Sequence, residues 1–295
     1  MSNMLYSKIA GELMTNSISQ LTFEYHDSDV TRIAPSHTSG WRIMPIIVLV
    51  IPRPISGAEN DDNLVKYETA DKTYKIKNGE AVIVPENTSH CFSNIEGKDS
   101  LSYWCHFQLK YLQITDIYYF YDIPTVISGN QTLTLAEYCR EMSIIAKNAQ
   151  NNDFAAGCRL QQVGFKMAEL IINNSTPKND SNISPDAILR FQPLLEYIKN
   201  NIEKKITLEK MARIINLSTS NFRKIFTETF GTTPGDYVIQ YRLKQASNLL
   251  AYTKMNISEI ASELGFCDQF NFSKVFKKRF KISPREYRKN LYNVI

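Results

Sequence analysis

The chain has 295 residues, 43% of them hydrophobic, room for two separate domains. Its net charge of +4 is small, and its longest apolar run, the eight residues Met44 to Ile51, contains Pro45, is followed by Pro52 and is far too short to span a bilayer. The opening "MSNMLYSKIAGELM" lacks the basic start and apolar stretch of a secretion signal, and the five cysteines are never at metal or redox spacing, so a cytoplasmic protein with reduced thiols is expected.

The first half has strand character. "MPIIVLVI" (Met44 to Ile51), "AVIVP" (Ala81 to Pro85) and "SYWCHFQL" (Ser102 to Leu109) are separated by clusters of Gly, Asn, Asp and Pro. Between them, Gly79, Pro85, Asn87, His90 and Asn94 are spaced in a way that resembles the second conserved motif of cupin barrels. Asn87 replaces a glycine of that motif, and Asn also tolerates a positive φ, so the turn is expected to survive. The first cupin motif is absent, and no two of His26, His37, His90 and His106 lie at ligand spacing. His90 is therefore read as a structural or ligand-bonding residue, with no metal and no cofactor.

A jelly-roll barrel of this kind is a binding cup with apolar and aromatic walls and a few orienting polar groups. Trp104 is the candidate wall, since a flat ring stacks on the C–H face of a sugar, and His37, Arg42, Arg53, His90 and His106 are the candidate polar contacts. Each also has a plain structural reading: Trp104 and His106 in the core, the arginines on the surface. Period-2 alternation alone does not separate inward from outward positions here.

Two helices are expected next, Thr132 to Ala149 with a stripe of Leu135, Tyr138, Met142 and Ile145, and Asp153 to Asn173 with Leu160, Val163, Met167 and Leu170. They either close the barrel or offer a dimer surface. "NNSTPKNDSNISPD" is polar and aperiodic and reads as a linker. The expected division is residues 1–173 for a sensing and dimerising domain, 174–186 for the linker and 187–295 for a second domain.

The second domain contains one stretch written twice, about 50 residues apart. Phe222, Phe226 and Phe230 recur as Phe272, Phe276 and Phe280, and Pro234 with Tyr237 recurs as Pro284 with Tyr287. Each copy begins with a short helix: Thr207 caps one with inner residues Leu208, Met211, Ala212 and Ile215. Asn256, with Glu259 as its capping-box partner, caps the other, whose inner residues are Ile257, Ile260, Ala261 and Leu264. Asn216 and Gly265 stand where the short helix must end in a left-handed backbone. Ser218 and Asp268 then cap a second helix with a phenylalanine stripe inside. Between the copies, Pro234 to about Tyr252 reads as one helix of roughly 25 Å.

Opposite the phenylalanines lie Thr219, Ser220, Asn221, Arg223 and Lys224 in the first copy, and Gln269, Asn271, Ser273, Lys274, Lys277 and Lys278 in the second. Arg or Lys reads guanine and Asn or Gln reads adenine, while further lysines suit phosphates. From Arg190 onward there are 19 basic and 9 acidic residues, which leaves 15 basic and 21 acidic in the rest. A basic end on an acidic body fits a nucleic-acid reader.

Residues 190 to 290 resemble the DNA-binding domain of the AraC family of bacterial transcription regulators. The resemblance is carried by Tyr241-Arg242-Leu243 at the start of "YRLKQASNLL", by "ISEIASELGFCDQFNFSKVFKKRF" and by "SPREYRK"; the "YWCHF" strand resembles the sugar-sensing barrel of the same regulators. It implies a multidomain α+β protein, a cupin-like β-barrel with two trailing helices followed by an all-α double helix-turn-helix domain. It implies base contacts at Ser220, Arg223 and Lys224 and at Gln269, Phe270, Asn271 and Lys274. Phe270 offers only an apolar contact, such as to a thymine methyl. Ser218 and Arg242 join these as candidate DNA contacts. The partners implied are double-stranded promoter DNA, a small-molecule effector of carbohydrate type, RNA polymerase and a second copy of the chain, with activation expected over repression. Two rivals are a constitutive regulator whose barrel only dimerises, and a cupin enzyme with a DNA-binding tail.

Overall fold

The computed structural model describes residues 21–55, 63–95, 99–112, 115–178 and 188–292. The expected linker lies largely outside the described residues. The chain divides into two compact units. One holds Phe23–Leu109, Tyr121–Thr176 and the chain from Arg285 on; the other holds Lys110–Phe120 and Pro177–Pro284 together with the start of the first strand. The expected architecture, β-rich first half and helical second half, is present.

The first unit is built on two antiparallel sheets. β1 (Leu21–Ile33), β2 (Arg42–Ile43), β3 (Ile47–Pro54), β4 (Asn63–Thr69), β5 (Thr73–Lys77), β6 (Glu80–Val84), β7 (Ser89–Asn94) and β8 (Ser100–Tyr111) are its main strands. β9 (Thr115–Asp116), β10 (Tyr121–Asp122) and β11 (Val126–Ser128) are short. One sheet has the order β1-β8-β3-β6-β11 and the other β2-β7-β4-β5. Ile46, Val48 and Val50 pack with Leu64, Val65, Tyr67, Ile76 and Phe92 of the facing sheet. Residues 47–52 are all buried, because the opposite face of β3 is covered too. There Cys105, paired with Leu49, lies with its sulfur 3.8 Å from Met142 Sδ on a helix. A strand buried on both faces needs no polar alternation.

The cupin-like turn survives the missing glycine. Asn87 takes φ 59° and its N–H reaches Met44 O at 2.6 Å. The Tyr287 hydroxyl donates to Asn87 Oδ1 at 3.0 Å, so residues from 285 on, assigned from sequence to the second domain, are counted with the barrel. Asn94 donates to Ile33 O and accepts from Ser100 Oγ, tying three segments together.

Two helices follow, α1 (Gln131–Asn148) and α2 (Phe154–Asn173), the latter capped by Asp153. Gly164 lets α2 approach β1 closely: a Cβ there would stand 2.3 Å from the Phe23 ring. Phe23 in turn stacks on Phe107 with centroids 5.1 Å apart.

The helical unit contains α3 (Gln192–Asn200), α4 (Leu208–Ile214), α5 (Thr219–Phe230), α6 (Pro234–Tyr252), α7 (Ile257–Glu263) and α8 (Gln269–Phe280). α9 (Pro284–Tyr292) follows at the boundary with the other unit. Each cap expected from sequence is made: Thr207, Ser218, Asn256 and Asp268 accept from the N–H three residues on, and Asn256 with Glu259 forms the full capping box. Asn216 and Gly265 have φ 55° and 68°, the left-handed ends that the repeat requires. Phe222, Phe226, Phe272 and Phe276 are fully buried.

The segment after β8 is an integral part of this unit, which periodicity did not reveal. Tyr111 and Leu112 join the cluster of Phe191, Leu194, Phe226 and Phe230. Asp116 pairs with Lys244, and the Tyr119 hydroxyl donates to Thr229 O. No helix of the described residues is long and apolar enough to cross a membrane.

Candidate DNA interface and barrel cavity

The second helices of the two repeats, α5 and α8, present the residues selected from sequence. The phenylalanine stripe fixes which side of each helix is buried, so the residues about half a turn away must face water. Ser218, Thr219, Ser220, Asn221, Arg223 and Lys224 are exposed, as are Gln269, Asn271, Lys274, Lys277 and Lys278. Ser273 is half-buried beside the core stripe. None of Arg223, Lys224, Lys274, Lys277 and Lys278 forms an ion pair with a described residue, so their charge is available to an outside anion. Phe270 is 78% exposed, a large cost in water for a residue at the start of a helix whose core is otherwise sealed.

Arg242 is placed differently. Its guanidinium is committed inside the unit, Nε to Ile202 O at 3.1 Å, Nη1 to Gly265 O at 2.9 Å and Nη2 to Lys204 O at 2.7 Å. It also lies 5.9 Å from the centroid of the Phe266 ring. Burial lowers its pKa, with Glu203 acting the other way. The residue thus binds the α3–α4 connection to the turn of the second helix-turn-helix and is not part of the exposed face.

In the barrel, strand register supplies the inward and outward assignments that alternation left open. Val50 pairs with Trp104 and Val48 with His106, so Ser102, Trp104 and His106 face the space between the sheets. Arg42 pairs with His90 across β2 and β7. A cavity of about 430 Å³ opens there, with His37, Arg42, Trp104 and His106 in its wall. Ile33, Val50, Val65 and Phe92 supply the apolar lining, and Ser39, Ser93, Asn94 and Ser102 are polar lining residues not selected from sequence. The same-face trio of Ser102, Trp104 and His106 was the available signal for Ser102.

Two of the six sequence candidates do not line the cavity. Arg53 donates to Asn78 Oδ1 at 3.0 Å and to Thr132 Oγ1 at 2.9 Å, bracing a hairpin against the first turn of α1. His90 is buried behind Arg42: its Nδ1 is 2.8 Å from Thr88 O, and its Nε2 accepts from Arg42 Nε at 3.1 Å. That pattern requires the neutral ring with the proton on Nδ1. Burial first and Arg42 second push the His90 pKa down to about 4. Burial, then Arg42, His90 and His26, push His106 down to about 3. Both rings are neutral near pH 7. The indole N–H of Trp104 is taken by Thr31 Oγ1 at 3.0 Å, and its ring lies 4.8 Å from that of His106. Among the described residues no three His, Cys, Asp or Glu side chains come together as a metal site.

The fold and its exposed basic face define a protein with two helix-turn-helix units and a β-rich domain of two facing sheets. Residues 211–290 match the family described as a helix-turn-helix domain. The lactose operon transcription activator of Staphylococcus xylosus is 38% identical over 97 residues, which is 33% of this chain and 35% of that protein. The transcriptional activator RhaS of Mannheimia succiniciproducens is 38% identical over 95 residues, 32% of this chain and 35% of that protein. Among solved structures, ToxT from Vibrio cholerae aligns over 92% of this chain and 98% of its own, at 16% identity and a TM-score of 0.49. Residues 211–290 are an AraC-type helix-turn-helix domain, and the relatives that share it are transcription regulators. The alignments to the first two relatives span about a third of their length (35% of each).

Proposed function

We propose that the chain is an effector-controlled, sequence-specific regulator of transcription that acts in the cytoplasm on promoter DNA. The observation that carries this reading is the pair of exposed faces, Ser220, Arg223 and Lys224 on α5 and Gln269, Asn271 and Lys274 on α8. Each belongs to a helix-turn-helix whose core is closed by its own phenylalanines. The 19-residue α6 between them is about 28 Å long at 1.5 Å per residue. That length suits two major-groove visits about one turn of DNA apart on one side of the duplex.

The barrel cavity is the effector site, and the effector is a small molecule of carbohydrate type, as the lactose-operon relative suggests. Binding must favour one state of the protein over another, since equal affinity for both shifts nothing. The sign of control is activation, in company with RNA polymerase, as in the relatives named activators. The chain works as a homodimer: Leu133 and Ile144 on α1 and Phe154 on α2 are 57%, 51% and 85% exposed, an apolar surface that a second copy would cover.

The test is binding of the full chain to duplex DNA from upstream of its own and neighbouring genes, against scrambled duplex, over a range of salt. Preferential binding that weakens steeply with salt is expected. Equal binding to both duplexes would remove sequence-specific regulation from consideration.

A further inference from the structure

Within the cavity, Arg42 has no counter-charge among the described residues. Arg42 donates its Nε–H to His90 and lies 6.0 Å from the Phe92 ring centroid. Its two terminal nitrogens have no acceptor among the described residues. Among the described residues no Asp or Glu lines the cavity, and the other lining arginine, Arg32, is already paired with Asp99. His106, the imidazole closest in character to a second cation, is held neutral and so adds no competing charge.

A guanidinium does not escape burial by losing its proton, so it is stabilised only by an acceptor. His90 fixes the Nε side of the fork, which leaves the two terminal nitrogens as a planar, parallel pair of donors. A carboxylate is the acceptor that matches two parallel N–H groups. Behind the fork, Val50, Val65, Phe92 and the Trp104 ring form an apolar wall that suits the body of the ligand and not its charge.

We propose that the effector carries a carboxylate held end-on by Arg42, with its carbon skeleton against Trp104 and Phe92, and with His90 as the residue that positions the guanidinium. This rests on the cavity being the effector site. A sugar acid is the carbohydrate member of the class, and an aromatic acid is the other source of the same chemistry.

The experiment is thermal melting of the full chain with matched pairs: glucuronate against glucose, and cinnamate against cinnamamide, each at about 10 mM. At least one acid should raise Tm by about 2 °C or more while its neutral partner does not. Which pair responds separates the two sources. Arg42→Gln should weaken the acid at least tenfold, and Arg42→Lys, which keeps the charge but loses the planar fork, should recover only part of that. Should Arg42→Gln fail to fold, the acid-against-neutral comparison in the unaltered chain decides alone. Neutral partners that match their acids, or an acid whose affinity survives Arg42→Gln unchanged, would overturn the carboxylate and leave the cavity as the effector site. No shift with any of the four compounds would sink the carboxylate and the cavity reading together.

Discussion

Arg242 Nη1 donates to the carbonyl of Gly265 at 2.9 Å, and the two residues depend on each other. Gly265 has φ 68°, and a Cβ on it would stand 2.5 Å from Glu203 O and 2.7 Å from Arg242 Nη2. The turn of the second helix-turn-helix is therefore pressed against the 202–204 backbone with Arg242 as the clamp. Arg242→Ala should destabilise the DNA-free protein by about 1–3 kcal/mol, because partly buried carbonyls lose charged donors. Gly265→Ala should cost at least as much through strain and overlap. An Arg242→Ala protein with unchanged melting but weakened DNA binding would return this residue to the DNA face.

Arg223 and Lys274 carry the opposite expectation. Both are exposed and make no ion pair with a described residue, so Ala at either should leave melting unchanged. On specific duplex each substitution should cost about 1–3 kcal/mol and relax sequence preference. Lys277→Ala should instead weaken specific and random duplex alike and reduce the salt slope by about one. Equal losses on both duplexes for Arg223→Ala would assign it to phosphate.

Phe226 and Phe276 occupy equivalent positions in the two copies, each fully buried. Phe226 is stacked 4.4 Å from Phe230, and Phe276 lies 4.3 Å from Phe280. Truncation of either to Ala should destabilise its half of the domain by about 3–5 kcal/mol. Chemical denaturation of each variant would measure it, and a loss under about 1 kcal/mol would mean that the site collapses around the missing ring.

The barrel should weaken in acid. His90 has its folded-state pKa held near 4, below the usual value of about 6.5. Above that usual value neither folded nor unfolded chain protonates this ring, and its contribution to stability is complete. As pH falls from about 6.5 towards about 4, the unfolded chain takes up a proton that the folded chain does not, and stability drops by up to about 1.4 kcal/mol per pH unit. His106, held near 3, acts in the same direction. Denaturation midpoints at several pH values should show a shallower dependence for His90→Gln than for the unaltered chain. Identical slopes would show that His90 is protonated in the folded state.

The helical unit was the more legible half of the sequence. Its caps, its left-handed turn residues and its phenylalanine stripes are relations between residues three or four apart, so the local backbone imposes them wherever the segment folds. The exposed faces of α5 and α8 follow by elimination, since the side opposite a buried stripe has only water beside it. By that logic the positions of Arg223 and Lys274 were available before any tertiary contact was known.

Tertiary structure alone decided the rest. His37, Arg42 and the β8 pair Trp104 and His106 come from three separate segments and meet only because β2 pairs with β7 and β3 pairs with β8 in one register, and a shift of one residue would turn each strand's set outward. The same holds for Arg53, which turns to Asn78 and Thr132, and for Arg242, which finds three carbonyls far away in sequence. Likewise, Asp116 and Tyr119 make polar contacts to Lys244 and Thr229 in the helical unit that no periodicity encodes. Local pattern specifies which face of an element is buried, while the partner of a polar side chain is specified only when distant backbone arrives beside it.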